Sequence, residues 1–185
     1  SLLAFLSVGT AGVISARYVV PPLLPQITGD LGISPSLTGL VLTISWAAYA
    51  FFQYPAGRAA DQLTAKTVLI GGLLTTTVGG MVMLFSTSYA TFALAMLSMG
   101  IGSGLYLPGM YAIATEEFPD RTGFAFGVIS ASINVGGTIA PGLAVVVVAI
   151  AVWRLAYLPI IALLLVVAVI FHRLYAEPYS LSRVE

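Results

Sequence analysis

Cysteine is absent from the chain, histidine occurs once, at His172, and only 8% of residues are charged, seven basic against seven acidic. Each shortage closes off a class of function. Without cysteine there is no disulfide, no thiolate nucleophile and no sulfur ligand, and one histidine cannot assemble a metal cluster. A formal net charge of zero offers no basic surface to a phosphate backbone, which argues against nucleic acid as a partner. No nucleophile–base pair and no phosphate-cradling loop stands out, so an enzyme is not expected and no cofactor is assigned.

What the chain has in excess is apolar length. It is 59% hydrophobic with a mean hydropathy of +1.03, whereas soluble domains carry about 25% charged residues. A soluble core this apolar would have no polar shell to cover it. The solvent that suits it is a bilayer, whose crossing takes roughly 20 mostly apolar residues per helix. Six stretches qualify, at 2–25, 36–56, 67–86, 90–112, 123–148 and 154–172. They are separated by polar or turn-forming clusters at 26–36, 57–66, 86–88, 115–122 and, weakly, 151–153. The expectation is an all-α membrane protein, a six-helix bundle over 1–172 followed by a cytoplasmic tail or linker over 173–185. The chain opens on Ser1 rather than Met, which reads as a trimmed or partial sequence. Its first run lacks a basic flank and reads as a span, not a cleaved signal.

Arginine and lysine set the expected orientation. Arg58, Lys66, Arg121, Arg173 and Arg183 fall on one side and Arg154 alone on the other. The positive-inside rule therefore puts the N-terminus in the cytoplasm, for a protein of the plasma (inner) membrane. Asp30 falls in the first outer loop.

The first three spans echo the second three. Pro25 and Pro108 are 83 residues apart, Gly39 and Gly123 84, Ser45 and Ser130 85, and Pro55 and Pro141 86. Three spans per copy is an odd number, so the copies must be inverted in the membrane, a recurring transporter plan with the solute site near the midplane.

Arg17 lies inside the first span. A guanidinium at membrane depth costs about 2.5–3.5 kcal/mol on insertion scales, so it should face a partner or a wet cavity. Helical spacing puts Ser7, Thr10, Ile14, Arg17 and Pro21 on one face, and no acid lies at comparable depth. An unpaired arginine suits a carboxylate or phosphate held in bidentate fashion; the competing reading is an arginine that snorkels or bonds backbone carbonyls. Thr43, Trp46, Tyr49 and Gln53 form a polar stripe on the second span, Ser98, Gly102 and Tyr106 on the fourth, and Ser130, Asn134 and Thr138 on the fifth. Arg17, Trp46, Tyr49, Gln53, Tyr106 and Asn134 are the expected substrate contacts. The sixth span carries almost nothing polar and reads as lipid-facing. Glu116 and Glu117 read as a solvated helix end.

Between the second and third spans, Gly57 would let the chain leave a helix already disturbed by Pro55. Asp61 could sit at a helix N-terminus or against an arginine, and with Lys66 it could hold one conformation of a gate. Gly136 and Ala140 make a small-residue packing face before Pro141, which would kink the fifth span.

These residues resemble the signature of the major facilitator superfamily. Its loop between helices two and three reads Gly, three residues, Asp-Arg, one residue, Gly-Arg-Arg/Lys. Gly57, Asp61 and Lys66 match, while Gln62, Thr64 and Ala65 replace Arg, Gly and Arg and thin the charge network. The passage 24–34 is similar to the family's L-P-x-I-x-x-D-L-G-I-S. Gly100, Gly102 and Gly104 resemble the glycine run of helix four, with Met96 where many members have Arg, and Trp153-Arg154 resembles the start of helix six. The segment 136–142 is similar to the G-x-x-x-G-P of proton-coupled exporters, with Ala140 in place of the second Gly. The resemblance implies the N-terminal half of a twelve-helix transporter, in which helices one, two, four and five border the cavity while three and six lie outside. It also implies gating roles for Gly57, Asp61, Lys66, Gly136 and Pro141, and a second six-helix bundle as partner, either a C-terminal half or a second copy of this one. The expected function is alternating-access transport of a small solute, read as an organic anion. A proton-coupled drug exporter and a non-transporting assembly module remain open beside it.

The absence of cysteine makes the orientation directly testable. Ser36→Cys should react with a membrane-impermeant maleimide in intact cells, whereas Asp120→Cys should react only after the membrane is opened. The reverse pattern would invert the topology.

Overall fold

In lipid, backbone N–H and C=O groups must be satisfied within the chain, so long apolar runs become helices. The computed structural model describes residues 2–175. Over these it has seven α-helices: α1 (Leu2–Tyr18), α2 (Val20–Leu31), α3 (Pro35–Gln62), α4 (Ala65–Leu84), α5 (Tyr89–Glu117), α6 (Thr122–Ile150) and α7 (Tyr157–Leu174). Short 3-10 turns at Pro119–Arg121 and Trp153–Ala156 join the last helices. Together α1 and α2 make the first of six crossings. The tail expected over 173–185, with Arg183, lies outside the described residues from 176 onward.

The break at Val19 follows from proline chemistry. Pro21 and Pro22 have no N–H to give the carbonyls of Arg17 and Tyr18. Helix resumes at Val20 and ends at Gly32, whose left-handed φ of 62° suits glycine. The first crossing thus extends to Leu31 rather than residue 25, and Asp30 is on a helix, not in a loop.

A larger correction concerns 57–66. The α3 helix runs through Pro55 and Gly57 to Gln62, so Gly57 does not release the chain. The turn is only Leu63 and Thr64, and Thr64 caps α4 by accepting from the Thr67 N–H at 3.2 Å. Asp61 is exposed on the last turn of α3, not at a helix N-terminus. Polarity marks where the chain leaves hydrocarbon, not where the helix stops.

Inside the bundle, α5 packs along α3 and α4, α1 lies on α6 and α7, and α4 lies on α7. Glycine allows the backbones to meet. A Cβ on Gly72 of α4 would stand 2.7 Å from the Gly102 carbonyl of α5, and one on Gly136 of α6 would stand 2.9 Å from Ala11 Cα of α1. Gly136 and Ala140 therefore do form a packing face, and α6 continues as one helix through Pro141.

The lipid-facing reading of the sixth span needs correction. Tyr157, Ile160, Leu164, Val167 and Phe171 of α7 are buried in the core while Leu158, Val166 and Val169 face outward. A helix apolar all round carries no signal of which side is covered. The least buried crossings are instead α3 and α6.

The antiparallel pair α4 and α7 is fastened at both ends. Buried Lys66, at the start of α4, donates to the His172 carbonyl at 3.4 Å and to the Tyr175 carbonyl, at the C-terminus of α7. Arg154, just before α7, donates from Nε at 2.8 Å and from a terminal nitrogen to the Ser86 carbonyl, just past α4. Each helix thus ends on a cation supplied by the start of the other, as helix polarity favours. Lys66 and Arg154 open the third crossing of each half, so the inverted repeat extends to these fasteners.

Gly72→Val should lower stability by about 1–3 kcal/mol, the cost of overpacking, measured as thermal unfolding in detergent. Gly142→Val is the control, because a Cβ there meets nothing, and should leave the melting temperature unchanged.

Candidate substrate site at a buried arginine

Arg17 is placed by the last turn of α1, immediately before the Val19 break, and is 4% exposed. Its guanidinium carbon lies 4.3 Å from the centre of the Trp46 ring and 4.2 Å from that of Tyr49. Those two residues are three apart on α3, so they project from one face. Their rings meet edge to face, 5.7 Å apart at 88°. The three separations set the rings at roughly a right angle about the guanidinium, a corner rather than a sandwich. Tyr18 extends the wall, edge-on to Trp46 at 5.9 Å.

The cation is attracted to both ring faces, a contribution of about 0.5–2 kcal/mol each where water is excluded. That attraction does nothing for the N–H groups. Nε and one terminal nitrogen of Arg17 are buried with no hydrogen-bond partner. A charge-bearing donor left unpaired costs more than a neutral one, so these N–H groups favour an acceptor. What it can do chemically is receive an oxyanion on the N–H edges while the rings flank the ligand's apolar part.

The structure unites Arg17, Trp46 and Tyr49. Gln53 is one turn further along α3 and half-buried. Asn134 is exposed on α6, its amide donating to the Ser130 carbonyl at 2.9 Å. It lies near Gly137, against which the Tyr18 ring rests. Tyr106 is buried elsewhere, in the α1–α5 contact, where it donates to the Leu6 carbonyl at 2.9 Å and accepts from Thr10 at 3.4 Å. Of the residues read as gating, Lys66 is taken up in the α4–α7 fastening and Gly136 in helix packing, while Gly57 and Asp61 end α3.

Two features escaped the sequence reading. Tyr18 was hidden by adjacency, because neighbours on a helix point in different directions. Asp30 pairs with Arg154 at 2.7 Å and accepts from the Trp153 indole at 3.2 Å. The signal was available, an acid at one helix end and a Trp-Arg pair at the head of another on the same membrane side. A separate groove of about 240 Å³ between α1, α6 and α7 is lined by residues such as Ala11, Val135, Ile139 and Leu163 and has no ionisable side chain. Among the described residues no cluster could hold a metal ion.

Comparison with known proteins agrees with this architecture. The Major Facilitator Superfamily model matches residues 6–185. The probable sulfoacetate transporter SauU of Cupriavidus necator is 32% identical over 139 residues, covering 72% of this chain and 31% of SauU. The quinolone resistance protein NorA of Staphylococcus aureus is 26% identical over 126 residues, 68% of this chain and 32% of NorA. The chain spans about a third of the length of these relatives. In fold it is similar to a bacterial homolog of the human lysosomal transporter Spinster in an inward-facing, occupied conformation. That structure aligns with a TM-score of 0.78 at 19% identity, over 98% of this chain and 45% of the other. With six apolar crossings, an all-helical inverted repeat and a family match over nearly its whole length, the chain belongs to the Major Facilitator Superfamily.

Proposed function

We infer that this bundle serves secondary transport of a small organic anion by alternating access, with Arg17 as the anion contact and Trp46 and Tyr49 as its walls. The observation that carries this reading is the buried guanidinium with unpartnered nitrogens in an aromatic corner. A purely structural arginine would end on carbonyls, as Arg154 does on Ser86. Similarity to a protein named as a sulfoacetate transporter supports the anion class. A single positive charge beside two rings favours a carboxylate or sulfonate on a short organic body.

Alternating access requires a second bundle across the cavity. The exposed faces of α3 at Trp46 and of α6 at Ser130, Asn134 and Thr138 suit that partner. The orientation proposed is N-terminus inside, in the inner membrane.

A second reading has its own support. Trp46 is 45% exposed, and an aromatic surface also suits the planar compounds implied by the name of NorA. In that reading the chain is part of a drug exporter.

The test is binding of sulfoacetate to the chain in lipid nanodiscs, followed by Trp46 fluorescence in a Trp153→Phe background. Arg17→Met should abolish the saturable change, and Arg17→Lys should weaken it at least tenfold, because an ammonium lacks the planar fork. Persistence of the change in Arg17→Met would sink the anion reading. Binding of a quinolone that is indifferent to Arg17 would favour the exporter.

The same substitution makes a stability prediction of opposite sign. Replacing an unpaired buried charge by an apolar side chain of similar reach should raise stability by about 1–3 kcal/mol, seen as a higher melting temperature in detergent. A drop instead would mean that Arg17 holds the bundle together.

A further inference from the structure

The Arg17 corner is closed. Arg17 is 4% exposed, and its Nε and one terminal nitrogen are sealed from solvent as well as unpartnered. A charge-assisted bond to an oxyanion is about 2.7–2.9 Å long, so neither nitrogen can take one until a covering group moves aside. The two groups set against the guanidinium are the rings of Trp46 and Tyr49, and they are held differently. Tyr49 packs on the buried core, and its carbonyl backs onto Gly104 of α5, where a Cβ would stand 2.7 Å away. Trp46 is 45% exposed and is held through its ring, by Arg17, Tyr18 and Tyr49. Among the described residues its indole N–H donates to no acceptor. The other indole, Trp153, is 4% exposed and donates to Asp30. Beside Trp46 on α3, Thr43 three residues before and Ala50 four after are both small and exposed. They leave a shallow strip on which a displaced indole can lie.

We propose that Trp46 is a lid over Arg17, its indole swinging off the guanidinium to admit the anion's oxygens and returning over the bound anion's apolar body. This role rests on Arg17 being the anion contact. The movement is a side-chain rotation between staggered positions and requires no change in the helix. What opposes it is the attraction of the cation for the ring face and two edge contacts between rings. Those contacts are strong enough to keep the unliganded charge covered and weak enough to yield to a carboxylate or sulfonate, which offers the guanidinium hydrogen bonds that a ring cannot. Tyr49, anchored on the core, stays as the fixed wall. Trp46 thus both flanks the ligand and controls its entry, from the exposed side of α3.

The experiment is modification of arginine by phenylglyoxal in this chain, held in phosphatidylcholine nanodiscs without an anionic ligand. The rate at each arginine is read by peptide mass spectrometry, with exposed Arg121 as the internal reference. In the unsubstituted chain Arg17 should react far more slowly than Arg121. Trp46→Ala should speed Arg17 about tenfold, the factor that one cation–ring contact shielded from water supplies, with Arg121 and far-UV helicity unchanged. Trp46→Phe keeps a ring face and should restore most of the protection. Phe51→Ala removes an exposed ring from the same helix and should leave Arg17 slow. An Arg17 rate that is the same in Trp46→Ala as in the unsubstituted chain overturns the proposal, and so does equal acceleration by Phe51→Ala. If Trp46→Ala does not fold, Trp46→Leu decides, because leucine fills space without an aromatic face; no acceleration there overturns the proposal. No ligand enters this measurement, so failure of the lid shows here, whereas failure of the anion reading shows in sulfoacetate binding to Arg17→Met.

Discussion

Helices already immersed in hydrocarbon gain little by burying apolar side chains against one another, so this bundle rests on how closely its backbones approach. The crossings that pack most tightly do so at glycines: α4 on α5 at Gly72 and Gly102, α3 on α5 at Gly100 and Gly104, α1 on α6 at Gly136. At each place a single methyl group would collide with a neighbouring carbonyl or Cα. Dispersion and short polar contacts between backbones replace the hydrophobic drive that a soluble bundle would use. The same closeness puts α5 in the middle, while α3 and α6 are the least buried crossings.

Helix ends impose the second demand. The last carbonyls of a helix have no partners within it, and at a membrane boundary the surroundings cannot always supply them. Here α4 and α7 meet the demand for each other, Lys66 serving the end of α7 and Arg154 the end of α4. The pair is antiparallel, so each cation lies where helix polarity favours it. This fastening makes two of the six crossings a fixed frame. Against it lies α1 through Gly9 and Gly12, which sit close to Val167 and Leu164.

Arg17 is the exception to this economy. Every other cation whose bonds have been described ends on a carbonyl or carboxylate, whereas Arg17 meets only the faces of two rings. Ring attraction offsets part of the desolvation cost and leaves the N–H groups unanswered. Arg17 lies one turn before Pro21, whose missing N–H leaves the Arg17 carbonyl without its helical donor.

Much of this was legible in the amino-acid order, for a physical reason. Hydrocarbon rejects charge and unbonded backbone so strongly that apolar length alone determines the class, the number of crossings and the rarity of Arg17. The i, i+3 spacing of Trp46 and Tyr49 was enough to put them on one face. Helix ends were not legible at the same precision, because α3 carries the polar residues Arg58, Asp61 and Gln62 as helix, and a polarity count mistakes that for a loop. The covered side of α7 could not be read from a segment apolar all round. Nor could the assignment of Tyr106 to packing, which depends on the Leu6 carbonyl being 2.9 Å from its hydroxyl. The sequence by itself determined a six-crossing helical membrane bundle and nominated the arginine. Only the tertiary structure decided which rings surround that arginine, which cations close which helices, and that Asp30 reaches Arg154. Those pairings join residues far apart in the chain, and no local pattern encodes them.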